Sequence, residues 1–193
     1  MIFQKALGIP NLGDINVTIP DWKTKELRRA YYSAISFSDH QLGLLLNKLK
    51  EMDLEEDTIV VFWGDHGWHL GDHAEWCKLT LFEIGNRVPF MMRIPGVTDE
   101  GMRTSKLVEL IDIFPTLVEA AGFNSLDKCP QSSHDIQLCT EGKSLIPLFE
   151  DPMNEEWDDV VFWQHPRGGF QDDVVPWQMG YSIRDTNYRY MES

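Results

Sequence analysis

From Asp21 to Leu54 apolar residues recur at three- and four-residue steps, through Leu27, Tyr31, Ala34, Ile35, Ser38, Leu42, Leu45, Leu46 and Leu49. That period predicts one long amphipathic helix, its apolar stripe on a core and its lysines and arginines on a solvated face. The pattern then breaks. Thr58–Trp63 is an almost unbroken apolar run behind a turn, as expected of a strand buried on both faces in a parallel sheet covered by helices. Residues 87–96, RVPFMMRIPG, repeat the texture and predict a second strand. SKLVELIDIFPTLVEAAG predicts two helical pieces, with Asp112 able to cap the second, Pro115 in its first turn and Gly122 stopping it. Helix, strand, loop, strand, helix is the order of an α/β architecture.

After about Glu150 the texture shifts. DDVVFWQHPRGG and GYSIRDTNYRYM read as shorter strands separated by Gly, Pro and Asp, closer to an antiparallel sheet. The expected division is therefore an α/β portion over residues 1–150 and the beginning of a smaller subdomain over 151–193. Residues 1–20, rich in Gly, Pro and Asn, read as an extended segment. No internal repeat or low-complexity tract interrupts the chain.

Composition narrows the function classes. A hydrophobic content of 42% over 193 residues excludes global disorder. A formal charge of −14 argues against a nucleic-acid partner, which would require a basic stripe. No stretch reaches the roughly 18 apolar residues of a membrane span, and MIFQKALGIPNLGD lacks the parts of a signal peptide. Two features point away from the cytosol all the same. Asn16-Val17-Thr18 is an N-glycosylation sequon, and Cys129 and Cys139 bound a short loop of a size suited to a local disulfide, with Cys77 left over. Together they suggest a secreted or lysosomal protein.

Chemistry-bearing residues concentrate in WGDHGWHLGDHAEWCK, residues 63–78. In open α/β sheets ligands bind beyond the carboxyl ends of strands, which is where Asp65 and His66 fall. Gly64, Gly67 and Gly71 allow tight turns and close backbone approach. A zinc cluster of His66, His69 and His73 would need a helix that Gly67 and Gly71 oppose, and no HExxH is present. A hard cation, Ca²⁺ or Mg²⁺, suits Asp65, with further ligands from elsewhere in the fold and Lys78 as partner for an anion beside the metal. The plainer expectations are Trp63 in the core, Trp76 in packing, His69 and His73 hydrogen-bonded within the loop, Asp72 and Glu75 solvated or capping, and Cys77 as a small buried residue.

The ordered set DHGWHLGDHAEWCKLTLFE, NRVPFMMRIPG, LVELIDIFPTLVEAAG, EGKSLIPLF and GYSIRDTNYRY resembles the sulfatase family of the alkaline-phosphatase superfamily, and within it the iduronate-2-sulfatase branch. The likeness covers nearly all of the chain. It implies the C-terminal part of a sulfatase α/β domain and the start of a smaller antiparallel subdomain. It implies that Asp65 and His66 bind the metal, Ca²⁺ in that branch, that Lys78 binds the sulfate, and that Trp68 lines the substrate pocket. His69 and His73 would have supporting roles, and Cys129 and Cys139 would form a structural disulfide. The implied activity is removal of 2-O-sulfate from uronic acid units of glycosaminoglycans, heparan or dermatan sulfate, in the lysosome. Alternatives are another sulfatase, a phospho- or phosphonoester hydrolase of the superfamily, or a non-catalytic remnant that binds metal or anion weakly.

One departure matters. The family's nucleophile is a formylglycine made from the cysteine of Cys-x-Pro-Ser-Arg. Neither Cys129-Pro130-Gln131-Ser132-Ser133 nor Cys139-Thr140-Glu141-Gly142-Lys143 matches that motif. The family's paired N-terminal aspartates are absent too. The expectation is one wall of an active site without its catalytic residue: a piece of a longer sulfatase, inactive by itself. Two alternatives are a short product that keeps only binding and a half-protein paired with a separate chain.

Overall fold

The structure, a computed structural model, describes residues 18–132, 138–167 and 178–192. The sequon asparagine Asn16 lies outside the described residues. The chain divides into two units, one formed by residues up to Glu56 with Asp65–Val88, the other by Asp57–Gly64 with the chain from Pro89 onward.

In the first unit, α1 (Asp21–Glu51) is the long helix that the periodicity predicts. Asp21 in its first turn and Lys48 and Lys50 in its last suit the helix dipole. It ends in a Schellman turn: the Leu54 N–H bonds to the Leu49 carbonyl and the Asp53 N–H to that of Lys50, with Asp53 at φ 54°. The expected burial of its stripe is not found. Leu27, Tyr31, Leu42 and Leu49 are half-buried, Ile35, Leu45 and Leu46 are exposed, and no residue of α1 is fully buried. Periodicity reports that a face is apolar, and the described part of this chain does not cover that face.

The rest of this unit is a tight excursion. The two-residue strands β2 (His69–Leu70) and β3 (Trp76–Cys77) pair antiparallel. A 3₁₀ turn over Asp72–Ala74 joins them, and the one-turn helix α2 (Glu83–Asn86) follows.

The second unit opens with β1 (Val60–Trp63), paired with β4 (Phe90–Arg93) from Val60 opposite Arg93 to Trp63 opposite Phe90. The pairing is antiparallel, which corrects the parallel sheet inferred from the apolar run. Direction depends on the connection, and here the chain returns before it pairs; the expected burial on both faces is not found either, since Val60, Val61 and Phe62 are only half-buried. Trp63, expected in the core, is 48% exposed.

A 3₁₀ turn over Leu110–Asp112 leads into α3 (Ile113–Ala120), with Pro115 in the first turn. Gly122, at φ 80°, donates to the Glu119 carbonyl and Phe123 to that of Val118, so Gly122 stops the helix as predicted. Asp112 does not cap α3 with its side chain. It closes a reciprocal capping box with Glu109 one turn earlier. Cys129 and Cys139 form the disulfide. After α4 (Ile146–Glu150) comes an antiparallel sheet of β5 (Val161–Arg167), β6 (Gln178–Arg184) and β7 (Arg189–Glu192), as the changed texture predicts. Among the described residues of this unit, Ile94, Pro115, Leu145, Leu148 and Val161 are buried apolar residues.

Candidate functional site

Gly67 sets the geometry of the loop. Its N–H bonds to the Gly85 carbonyl at 3.0 Å, and a Cβ there would collide with the backbone carbonyls of Ile84 and Arg87. Only glycine lets the Asp65–Trp68 turn lie this close to α2. Gly71, at φ 106°, turns β2 toward β3 beneath the Trp76 ring. The Asn86 amide donates to the carbonyls of Thr80, at 3.1 Å, and Phe82, at 2.9 Å, fixing the far side.

Within this frame Asp65, His66 and Lys78 converge. His66 Nδ1 lies 2.8 Å from the Gly67 carbonyl, which can only accept, so Nδ1 carries the proton and Nε2 presents a lone pair. The Lys78 ammonium donates to that lone pair at 2.5 Å. Asp65 Oδ2 is 3.4 Å from the same Nε2. A carboxylate and an imidazole lone pair facing one point repel each other, and a positive charge at the lone pair relieves that repulsion. Lys78 supplies such a charge on the His66 side, and a divalent ion would fit the same demand. A ring nitrogen oriented by a backbone carbonyl on its other side is the usual support of a metal-binding histidine. Asp65 is 84% exposed and His66 29%, so the pair opens to solvent. The Trp68 ring stacks on His66 with centroids 6.2 Å apart, and on Tyr31 of α1 at the same distance.

The backbone around Lys78 is strained. Cys77 at φ 70° and Leu79 at φ 76° flank it, and His73 and Ala74 are left-handed as well. Four of the five described non-glycine residues with positive φ thus lie between His73 and Leu79. Each costs about 1–2 kcal/mol against a relaxed conformation. Burial pushes the Cys77 thiol up, which makes it a poor nucleophile.

The histidine triad is not assembled. His69 is fully buried, its Nε2 2.7 Å from the Thr80 hydroxyl and its ring edge-on to Phe82. His73 stacks on the same Phe82 at 4.7 Å. Among the described residues no three His, Cys, Asp or Glu side chains are grouped to hold a metal ion. Sequence reasoning missed Thr80, Asn86 and Tyr31. Their types carry no signal of a site, and only contacts distant in sequence, Tyr31 on Trp68 and His69 on Thr80, bring them to it.

The Sulfatase family profile matches residues 9–123. Human iduronate 2-sulfatase is 32% identical over 91% of this chain and 40% of its own length. A phosphonate monoester hydrolase of Agrobacterium radiobacter shares the fold with a TM-score of 0.72 and 25% identity, over 88% of this chain and 33% of that one. A protein solved with its substrate D-glucosamine-2-N,6-O-disulfate matches with a TM-score of 0.71 and 24% identity, over 88% and 32% respectively. The chain spans about 40% or less of the length of these relatives. With a family profile matching more than half its residues, this chain belongs to the sulfatase family.

Proposed function

We propose that this chain forms the metal- and sulfate-binding wall of a sulfuric ester hydrolase of the iduronate-2-sulfatase type. The complete protein would remove 2-O-sulfate from uronic acid units of heparan or dermatan sulfate, in the lysosome or outside the cell. The observation that carries this reading is the meeting of Asp65 and Lys78 at His66 Nε2. Residues up to about 150 would belong to the catalytic domain and 151–193 to the smaller subdomain.

The residues fit the work of holding a sulfate ester. Asp65 and His66 would hold a divalent ion, taken to be Ca²⁺, which when bound supplies positive charge at the sulfuryl oxygens. His66 would turn Nε2 to the ion because the Gly67 carbonyl holds a proton on Nδ1. Lys78 would give its ammonium to a sulfate oxygen, where fixed charge stabilises the transition state. The strained residues on either side keep the lysine backbone in one conformation. Trp68, held between His66 and Tyr31, presents an aromatic wall for a sugar ring. The nucleophile, a formylglycine, would come from residues outside this chain, so the 193 residues alone are expected to be inactive.

A second reading, phosphonate or phosphate ester hydrolysis, is favoured by the likeness to the phosphonate monoester hydrolase. Both come to trial in one assay of the complete protein on a 2-O-sulfated uronate disaccharide and a panel of phosphonate and phosphate monoesters. Sulfate release lost in Lys78→Ala supports the first reading. Phosphonate turnover without sulfate release replaces it with the second.

A further inference from the structure

On the surface of α1, Lys25, Arg28 and Arg29 lie about one turn apart, followed by the hydroxyls of Tyr32, Ser33 and Ser36. These six line an open groove of about 370 Å³. Its charge runs against the molecule. The chain carries −14, yet residues 21–32 hold Lys23, Lys25, Arg28 and Arg29 against only Asp21 and Glu26. Lys23 is paired with Glu26 at 2.9 Å. Arg28 donates through Nε to the Leu70 carbonyl at 2.9 Å, which orients the guanidinium without neutralising it. Lys25 and Arg29 have no acidic partner among the described residues.

An ordinary solvated helix face would not favour this arrangement. Lys25 and Arg29 are a like-charge pair at i, i+4, which weakens a helix by a few tenths of a kcal/mol. Binding an anion there would offset that penalty. The groove runs from Lys25 to Ser36, about 16 Å along the axis at 1.5 Å per residue. It joins guanidinium forks, which match sulfate and carboxylate, to hydroxyls that can bond to sugar oxygens. Ser33 at present donates to the Arg29 carbonyl at 2.8 Å, so its oxygen is left to accept. The groove belongs to the same unit as the candidate site. Arg28 on Leu70 and Tyr31 on Trp68 tie α1 to the loop that carries His66.

We infer that this groove binds the anionic units of a linear sulfated glycosaminoglycan beyond the one presented to Asp65, His66 and Lys78. The identity of the polyanion rests on the proposed sulfatase reading; the existence of a polyanion groove does not. Such a subsite explains how a strongly acidic protein can hold an acidic polymer, since local charge outweighs the total at contact distance.

The test measures binding of a heparin-derived dodecasaccharide to the full 193-residue chain by calorimetry at several salt concentrations. Proteins compared are the wild type, Lys25→Gln with Arg29→Gln, and Lys50→Gln, an exposed lysine of the same helix outside the groove. Both substituted groove residues are exposed, and circular dichroism verifies that the double variant keeps its helix. The expected result is a loss of tenfold or more in the double variant, a shallower salt dependence by roughly one per cation removed, and less than about a threefold change in Lys50→Gln. Equal binding by the double variant and the wild type, or no binding by either, overturns the inference. Equally tight binding of duplex DNA of the same charge also overturns it, by making the groove unselective for sulfated sugar. Groove-dependent binding in a complete protein that releases no sulfate would sink the hydrolase reading and leave the groove standing. Normal sulfate release with groove-independent binding would do the reverse.

Discussion

Asp65 and Asp112 are the same residue type in opposite circumstances. Asp112 is 2% exposed; its Oδ2 accepts the Glu109 N–H and its Oδ1 the Lys143 N–H, both at 2.9 Å. The Thr116 hydroxyl below it donates to the Asp112 carbonyl and accepts the Leu145 N–H. Every polar group in this junction has a fixed backbone partner, and its function is to join α3 to the segment before α4. Asp65 is 84% exposed, and its recorded polar neighbour is an imidazole nitrogen at 3.4 Å. The turn that carries it depends on the close approach of Gly67, and the strained backbone lies farther on, between His73 and Leu79. Saturated hydrogen bonding marks a scaffold carboxylate, and an unsaturated carboxylate on a glycine-dependent turn is, under the proposed function, one held ready for a ligand.

The largest effect should come from breaking the scaffold. Asp112→Ala leaves two part-buried N–H groups unpaired and is expected to lower unfolding stability by about 3 kcal/mol in a urea titration. Asp65→Ala in the same titration is expected to change it by less than about 0.5 kcal/mol. Equal losses would erase the contrast between the two aspartates.

The ion pair of Lys106 with Asp159 at 2.9 Å gives the next effect. Burial acts to raise the Asp159 carboxyl, but the Leu107 N–H and Lys106 outweigh it, aided by Lys143, and hold it below the usual aspartate range. A carboxyl depressed in the folded state contributes stability above its unfolded value, about 4, and that stability is lost as the pH falls through the lower folded value. Asp159→Asn is therefore expected to lose about 1.5 kcal/mol at neutral pH. The gap from wild type should close as the medium becomes strongly acidic, as read from thermal unfolding across that range.

Two smaller changes probe strain. Leu79 is 57% exposed, so Leu79→Gly sacrifices little packing and relieves a left-handed leucine. A gain of about 1 kcal/mol in chemical unfolding is expected, with weaker anion binding at Lys78 because its backbone is freed. Asp53→Gly, at the Schellman turn of α1, should gain about 0.5 kcal/mol, since aspartate tolerates the left-handed region better than leucine. A loss in either variant would show that these backbones are not strained.

Much of this was legible in the sequence. The 3.6-residue period gave α1, the Pro115 and Gly122 punctuation bounded α3, and the two cysteines at 129 and 139 met as their spacing suggested. Asp65, His66 and Lys78 could be named as a group from the motif. What could not be read was partnership. An apolar stripe at Ile35 and Leu45 does not say what covers it, and a run such as Val60–Trp63 does not say which way its neighbour runs. Nor could three histidines at helical spacing reveal that two of them pack on Phe82 while one faces Lys78. Those outcomes depend on contacts between residues distant in sequence, set by the Gly67 approach to Gly85 and the pairing of His69 with Cys77.

The central claim is that Asp65 and His66 form a cation site held closed by Lys78. It is tested most directly by following the His66 ring nitrogens by NMR during titration with Ca²⁺. The account predicts an Nδ1-protonated ring whose Nε2 resonance shifts saturably with Ca²⁺, and a shift abolished in Asp65→Ala. An unresponsive ring in the wild type, or the same response in Asp65→Ala, would contradict it.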